Sequence, residues 1–490
     1  MTSIIREPGF NERHCIAREA LGLYGTVILS VTYASSLPST TPLQSLLTHA
    51  LRECISEHAM LSTVVVNADT EQPRLASVSE VDMRNHLLVL DDLRAASDYE
   101  TAVQALLHKA QNDKLDFTSY PAWRLYAQSL PSGSAGHLTF MAVFSYSHVL
   151  ADGTSGLIFH RTLRDALQRC DGTSFDDDTT FKTPTYARPL APALNRAAEF
   201  PISWSFLIPP FVNEFFPKWF VKRLDMGPED KEVWIGAAVR PPLPAAGELL
   251  PTSVLFKQVP QSDIQRVLDV GRKFGVRLTG LLAVLIAQSL RKALQARDQE
   301  YIKFNAMLPI DLRRCMPGNG DAMANYPSGI GEKIVINEAS TEAKHEDDWA
   351  TARRITDNLA SKSATRSNQL MSLLKYISNF RDWIIKEATK PSDKSFELSN
   401  IGVFDPTRTA NTTAPKQDDS AMSSWKVQDA VFSQSALATG ATLHVNVGSA
   451  MNGPLSITMT WWPGMLGVED EDVFVGEVLG DLIHRLASVK

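Results

Sequence analysis

The sequence predicts an α+β protein of two lobes, each a mixed β-sheet covered by helices. Three observations carry that expectation. The chain has 490 residues, more than a single hydrophobic core usually serves, so two core units are expected. Both halves open with a β-rich segment followed by an amphipathic helix, and neither goes on in strict strand–helix alternation. Pro-rich stretches at 184–192 and 241–251 flank an apolar segment, which places a boundary at about 195–235. The expected division is therefore 1–195, a linker at 196–235, and 236–490.

The elements follow from the pattern of apolar residues. VILSVTYASS (27–36) is β-rich. Pro42 opens an amphipathic helix with Leu43, Leu46, Leu47, Leu51 and Ile55 at helical spacing. LSTVVV (61–66), AWRLYAQSL (122–130) and HLTFMAVFSYSH (137–148) read as strands. In the last of these Leu138, Phe140, Ala142, Phe144 and Tyr146 alternate onto one face, and His148 joins them if the strand reaches it. A helix is expected from about Thr154 to Arg169. In the second half, SVLFKQV (253–259) is a strand and Ser262 is a candidate cap for the helix that follows. LTGLLAVLIAQSLRKALQ (278–295) is a long apolar helix, and YIKFNAML, LHVNVGS and LSITMTWW are strands. Residues 406–424, rich in Thr, Ala, Asp and Ser, are expected to form a surface loop.

Composition narrows the function classes. Apolar residues make up 44% and charged residues 21%, an ordinary globular balance. The net charge of −7 argues against nucleic acid as a partner, because phosphate binding needs clustered Lys and Arg. Cys15, Cys54, Cys170 and Cys315 are scattered, with no C-x-x-C pair, and free thiols in a reducing cytoplasm are expected. No metal-ligand spacing is present, and neither is a Walker loop nor a G-x-S-x-G elbow. The N-terminus has no apolar run of signal-peptide length. The most apolar stretch, 200–224, is broken by Pro209, Pro210, Asn213, Glu214, Pro217 and Lys218. It is expected to pack on the surface as a linker rather than span a bilayer, which needs about 20 mostly apolar residues. Peripheral membrane contact by this stretch is the other reading.

One segment carries chemistry. SYSHVLADGTSG (145–156) places His148, Asp152 and Gly153 after a buried strand and before a helix. A neutral imidazole at cytosolic pH can accept a proton, and a strand end would fix it. Asp152 would either orient the ring or turn away toward an arginine. Gly153 allows backbone angles that other residues resist. These residues alone leave open a packing histidine followed by a helix-capping Asp152. His444, in LHVNVGS, is expected to be structural.

The ordered set of segments resembles the CoA-dependent acyltransferase superfamily of chloramphenicol acetyltransferase, plant BAHD enzymes and peptide-synthetase condensation domains. It is most similar to the fungal-type alcohol acetyltransferases within that superfamily. The likeness runs through NERHCIAREALGLYGTVILSVTY, LRECISEHAMLSTVVV, PAWRLYAQ, the SHVLADG match to H-x-x-x-D-G, and GVRLTGLLAVLIAQSL. It continues through MLPIDLRRCMPG, MANYPSGI, LSNIGVFD, WKVQDAVFSQSA and GPLSITMTWWPGML. The plant-type D-F-G-W-G motif is absent, and LSNIGVFD stands in its place.

The resemblance implies two chloramphenicol-acetyltransferase-like lobes with a tunnel between them and His148 midway along it. His148 would be the general base. Asp152 would be mainly structural and paired with a second-lobe arginine, best matched by Arg313, with Arg314 the neighbouring alternative. Ser399 or Asn400 would position the tetrahedral intermediate, or else simply belong to a strand that crosses the sheet. The implied activity is O-acyl transfer, most simply acetyl transfer, from acetyl-CoA as co-substrate to a small apolar alcohol or secondary metabolite. No bound cofactor, no metal and a monomer are expected. The competing readings are a condensation or cyclisation enzyme using a carrier-bound or intramolecular substrate, and a non-catalytic binding protein on the same fold.

Overall fold

The computed structural model describes residues 2–90, 98–130, 136–170, 178–186, 189–215, 233–318, 322–336, 341–407 and 425–489. The first half contains β1 (Thr2–Arg6), α1 (Phe10–Ala20), β2 (Val27–Pro38), α2 (Leu43–Glu57), β3 (Thr63–Val66), β4 (Arg74–Val78) and β5 (Glu80–Asp82). It continues with β6 (Leu87–Leu90), α3 (Tyr99–Asn112), β7 (Trp123–Ser129), β8 (His137–Tyr146), α4 (Gly153–Arg169), β9 (Thr180–Lys182), α5 (Leu194–Ala197) and α6 (Trp204–Phe215). The second half contains β10 (Ser253–Val259), α7 (Gln261–Phe274), α8 (Leu278–Gln295), β11 (Lys303–Asp311), β12 (Pro327–Val335), α9 (Thr341–Ser363) and α10 (Phe380–Ala388). It ends with β13 (Phe396–Phe404), β14 (Trp425–Gln434), β15 (Leu443–Ala450), β16 (Leu455–Trp461) and α11 (Glu471–Ser488).

Two mixed sheets organise two lobes. A five-stranded sheet runs β14-β2-β8-β7-β6 and a six-stranded sheet runs β10-β16-β15-β13-β11-β12. The β6–β7, β11–β13 and β13–β15 pairs are parallel, and the other pairs in these two sheets are antiparallel. The alternation in β8 sorts its side chains as expected. Leu138, Phe140, Ala142, Phe144 and Tyr146 join a core with α2 and α4, while Met141 and Val143 pack on the other face with Val103 and Leu107 of α3 and Phe256 of β10. The apolar stripe of α2 is fully used, because Leu46, Leu47, Leu51 and Ile55 are all buried. Helix α8 is apolar nearly all round and is accordingly enclosed, between the six-stranded sheet and helices α9 and α11.

The structure departs from the local expectations in three places. Strand β8 stops at Tyr146 and does not reach His148, because the Ser147 hydroxyl accepts the Val149 N–H at 3.0 Å and turns the chain. Ser262 caps nothing: α7 begins at Gln261 behind Pro260, whose φ of −55° leads directly into the first turn. Leu61 and Ser62 belong to a 3-10 turn, with the strand beginning at Thr63. Of the expected loop at 406–424, residues 408–424 lie outside the described residues, as do 216–232 of the linker. No single helix among the described residues is long and apolar enough to cross a membrane.

Two features position the site. Strand β14 comes from the second half yet pairs with β2 from Trp425↔Ser35 to Gln434↔Val27, so it completes the sheet of the other lobe. Strands β11 and β13 touch only at Ala306↔Phe396 and Met307↔Glu397 and then part, leaving a wedge in the sheet.

The most closely stacked contact in the first core is Phe144 on Phe159, with ring centroids 3.6 Å apart and an interplanar angle of 8°. Phe159 is fully buried. Phe159→Ala is expected to cost about 3–5 kcal/mol, from lost transfer energy plus the cavity left behind. Urea denaturation checks this: the midpoint should fall with the slope unchanged.

Candidate active site

A cleft of about 1910 Å³ opens where β11 and β13 part, and both lobes line it. His14 and Arg18 of α1 face it, as do His148, Asp152 and Gly153 at the end of β8, Pro309 and Asp311 of β11, Glu397, Ser399 and Asn400 of β13, and His444 of β15. The sequence-derived residues His148, Asp152, Gly153, Ser399 and Asn400 therefore share one cavity. Arg313 lies behind its wall.

The turn after β8 is built around Asp152. One carboxylate oxygen, Oδ1, accepts the Ser155 N–H at 3.1 Å and the Ser155 hydroxyl at 3.0 Å, which caps the N-terminus of α4. The other, Oδ2, accepts from Arg313 Nη1 at 2.6 Å and from the Tyr326 N–H at 3.0 Å. Arg313 also donates from Nη2 to the Ala324 carbonyl at 2.9 Å and from Nη1 to Asp311 at 3.2 Å. Both side chains of the pair are at least nine-tenths buried. Burial alone would raise the Asp152 pKa, but Arg313 and the Tyr326 N–H outweigh it and hold the carboxyl below its usual range. Arg314 is exposed on the cleft and does not take this role. The tie joins the end of β8 in one lobe to the β11–β12 connection of the other.

Gly153 differs from expectation. Its φ is not in the left-handed region. It is small because α4 starts hard against β13: a Cβ there would sit 2.8 Å from Ile401 Cγ2.

His148 is held by its backbone. Its N–H donates to Glu19 Oε1 at 3.1 Å, and its carbonyl accepts from Asn325 Nδ2. Asn325 is held in turn by Asn11, at 2.8 Å. With Asp152 committed elsewhere, ring nitrogen Nδ1 has no hydrogen-bond partner among the described residues. The His148 pKa is pushed down to about 4, first by burial and then by the Arg18 guanidinium, with the charges of Asp152 and Glu397 opposing. The imidazole is thus neutral at neutral pH. Glu19 moves the other way, up to about 7, because it is buried, although Arg18, the Ser147 hydroxyl and the His148 N–H counter part of that rise.

Ser399 donates to Glu397 Oε1 at 3.3 Å, and Asn400 donates to Thr279 Oγ1 at 3.1 Å while accepting the Gly402 N–H at 2.8 Å. His444, expected to be structural, is buried and also faces the cleft, 3.9 Å from Glu397. The sequence pattern assigned no role to Arg18, Glu19 or Glu397, and marked Asn325 only as part of MANYPSGI. In α1 the charges Glu12, Arg18 and Glu19 are buried together with Cys15 and Ile16, so the helix reads as polar although it lies inside. Among the described residues, no three His, Cys, Asp or Glu side chains gather as a metal site.

Removing one partner of a buried ion pair leaves the other uncompensated, at a typical cost of about 3–5 kcal/mol. Asp152→Ala and Arg313→Ala should each lower stability by that order, and the double variant should lose clearly less than their sum. A double-mutant cycle on unfolding free energies measures this, and strict additivity would dissolve the pair. The Asp152 contribution is present above the unfolded carboxyl pKa near 3.8 and is lost as pH falls through the lower folded value.

A probable alcohol acetyltransferase of Aspergillus fumigatus is 21% identical, with 94% of each chain covered. Another, from Fusarium pseudograminearum, is 22% identical over 96% of this chain and 94% of its own. Among solved structures, the TRI3 trichothecene 15-O-acetyltransferase of Fusarium sporotrichioides superposes with a TM-score of 0.67 at 12% identity, covering 98% of this chain and 94% of that one. The first condensation domain of the calcium-dependent antibiotic synthetase superposes with a TM-score of 0.58 at 13% identity, covering 99% and 97%. These likenesses make the two-lobed fold that of the chloramphenicol acetyltransferase-like enzymes. The model of the alcohol acetyltransferase family matches residues 92–476. The chain belongs to the alcohol acetyltransferase family.

Proposed function

We propose that this protein moves an acyl group, most simply acetyl, from acyl-CoA to the hydroxyl of a small, largely apolar alcohol or secondary metabolite. His148 is the general base and no cofactor is bound. The observation that carries the reading is a neutral imidazole, fixed through its backbone on the wall of a cleft shared by both lobes. The family supports acetyl transfer to an alcohol.

The chemistry follows from these groups. An alcohol is a weak nucleophile near pH 7. As its oxygen attacks the thioester carbonyl, His148 takes its proton, a step typically worth about 10²–10⁴-fold. The O–C bond forms, the tetrahedral intermediate collapses, and the C–S bond breaks. The imidazolium then returns the proton to the leaving thiolate. Ser399 or Asn400, on the splayed end of β13, would donate to the developing oxyanion. Asp152 acts at one remove: its bond to Arg313 fixes the turn that carries His148. Acyl-CoA enters as a co-substrate and leaves as the free thiol.

Incubation with acetyl-CoA and a panel of alcohols, read by thiol release, tests the reaction class. His148→Ala should lose at least about 10²-fold in kcat/KM while keeping its circular dichroism and melting transition. Near-native turnover in the folded variant would remove the general-base role. The base must be neutral to work, so kcat/KM should fall as pH drops through about 4, well below the ordinary histidine value of 6.5. A pH–rate profile of the wild type checks the sign and the position of that limb.

A further inference from the structure

In the cleft that holds His148, several polar groups face the cavity or lie buried in its wall unsatisfied. Arg18 is 7% exposed, yet its guanidinium makes no hydrogen bond or ion pair with a described residue. It lies over the Tyr24 ring, 4.2 Å from the centroid. The Tyr24 ring stands 6.1 Å from that of His148, and its buried hydroxyl has no partner. Glu397 Oε1 accepts from Gln434 Nε2 at 2.8 Å, while Oε2 accepts nothing from the described residues. Both ring nitrogens of His444, which is 2% exposed, lack hydrogen bonds, although Nδ1 stands 3.9 Å from Glu397 Oε1. Arg18, Tyr24, Glu397 and His444 all line the same cleft as His148. Buried polar groups are normally paired, and leaving several unpaired on one wall costs stability that a bound ligand would recover.

We infer that Arg18, Tyr24 and Glu397 form a subsite for a second, uncharged hydroxyl on the acceptor, beside the one that is acylated. The reading rests on the acyl-transfer function proposed above and narrows its acceptor. The selectivity comes from the two opposite charges. An anionic substituent meets Glu397 and a cationic one meets Arg18, each as a like charge in a low-dielectric wall. A hydroxyl satisfies both, donating its proton to Glu397 Oε2 and accepting from the guanidinium. An acceptor lacking that hydroxyl leaves the buried charges unmatched, and sites of this kind discriminate more sharply than apolar pockets do.

The test uses acetyl-CoA with cyclohexanol, the 1,2-, 1,3- and 1,4-cyclohexanediols, 3-aminocyclohexanol and 3-hydroxycyclohexanecarboxylate. At least one diol should exceed cyclohexanol in kcat/KM by on the order of 10²-fold, and the two charged probes should fall below that diol. Glu397→Gln and Arg18→Met should each shrink the diol preference by about tenfold or more, acting mainly on KM, while Arg18→Lys keeps most of it. Melting curves identify variants that fail to fold, and the isosteric Glu397→Gln is decisive if Arg18→Met is among them. Equal turnover of cyclohexanol and every diol by the wild type overturns the subsite and leaves acyl transfer standing. A preference for the carboxylate probe also overturns it, since Arg18 would then act without Glu397. If no alcohol is acylated, the acyl-transfer reading falls, and ligand-detected NMR binding of the diols against cyclohexanol decides the subsite separately. Tighter binding of a diol that Glu397→Gln weakens supports it, and equal binding overturns it.

Discussion

The ion pair between Asp152 and Arg313 is the constraint on which the site depends. Two charges out of water are tolerated only when good geometry and further hydrogen bonds offset the lost hydration. Here Asp152 is met by Arg313, Ser155 and Tyr326, and Arg313 by Asp152, Asp311 and Ala324. One carboxylate therefore starts α4, anchors the β11–β12 connection and ends β8 at a fixed place. His148 sits four residues away and inherits that placement. With its carboxylate spent in this way, Asp152 has nothing left to offer the imidazole, which separates positioning from proton transfer.

The electrostatics of the cleft follow from the helix that roofs it. Helix α1 brings Arg18 and Glu19 into contact with the segment that carries the histidine. Burial and then Arg18 depress the protonation of His148, and burial raises that of Glu19. The two effects leave an imidazole that resists protonation beside a carboxyl whose pKa is raised to about 7. Because Glu19 contacts the histidine through its backbone N–H, its charge bears on where the ring stands more than on which proton it holds.

Much of this was legible in the sequence wherever apolar periodicity decided the matter. The faces of α2, β8 and α8 could be read residue by residue because burial there is a matter of spacing. The motif at 148–153 could be located, but its geometry could not be derived from its letters. An aspartate in a turn is free to face the ring, the helix N-terminus or an arginine, and the choice is made by Arg313, which lies 161 residues along the chain. Glycine at 153 was legible as a requirement for smallness or for an unusual angle, and only the approach of Ile401 separates the two. The charges of α1 and Glu397 on β13 were illegible for one reason: they are buried by a cleft that exists only after distant strands have parted. A polar pattern usually marks a solvated face, so nothing local flags such residues.

The crossing of β14 has a consequence for how the molecule comes to exist. The sheet that carries the histidine has β2 bordered on one side by β8 and on the other by a strand that begins at Trp425. During synthesis, everything up to residue 424 emerges while one edge of β2 stands open. An open edge of Val, Leu and Ile is a template for pairing with another chain. Closing it joins residues about 400 positions apart, such as Val31 and Ala430, a loop whose entropy must be met before the contact rewards it. The nascent chain thus passes through a long interval in which its first lobe is nearly complete and adhesive. A truncation before Trp425 would leave that edge of β2 unpaired, so the two halves of the sequence are not two independent folding units.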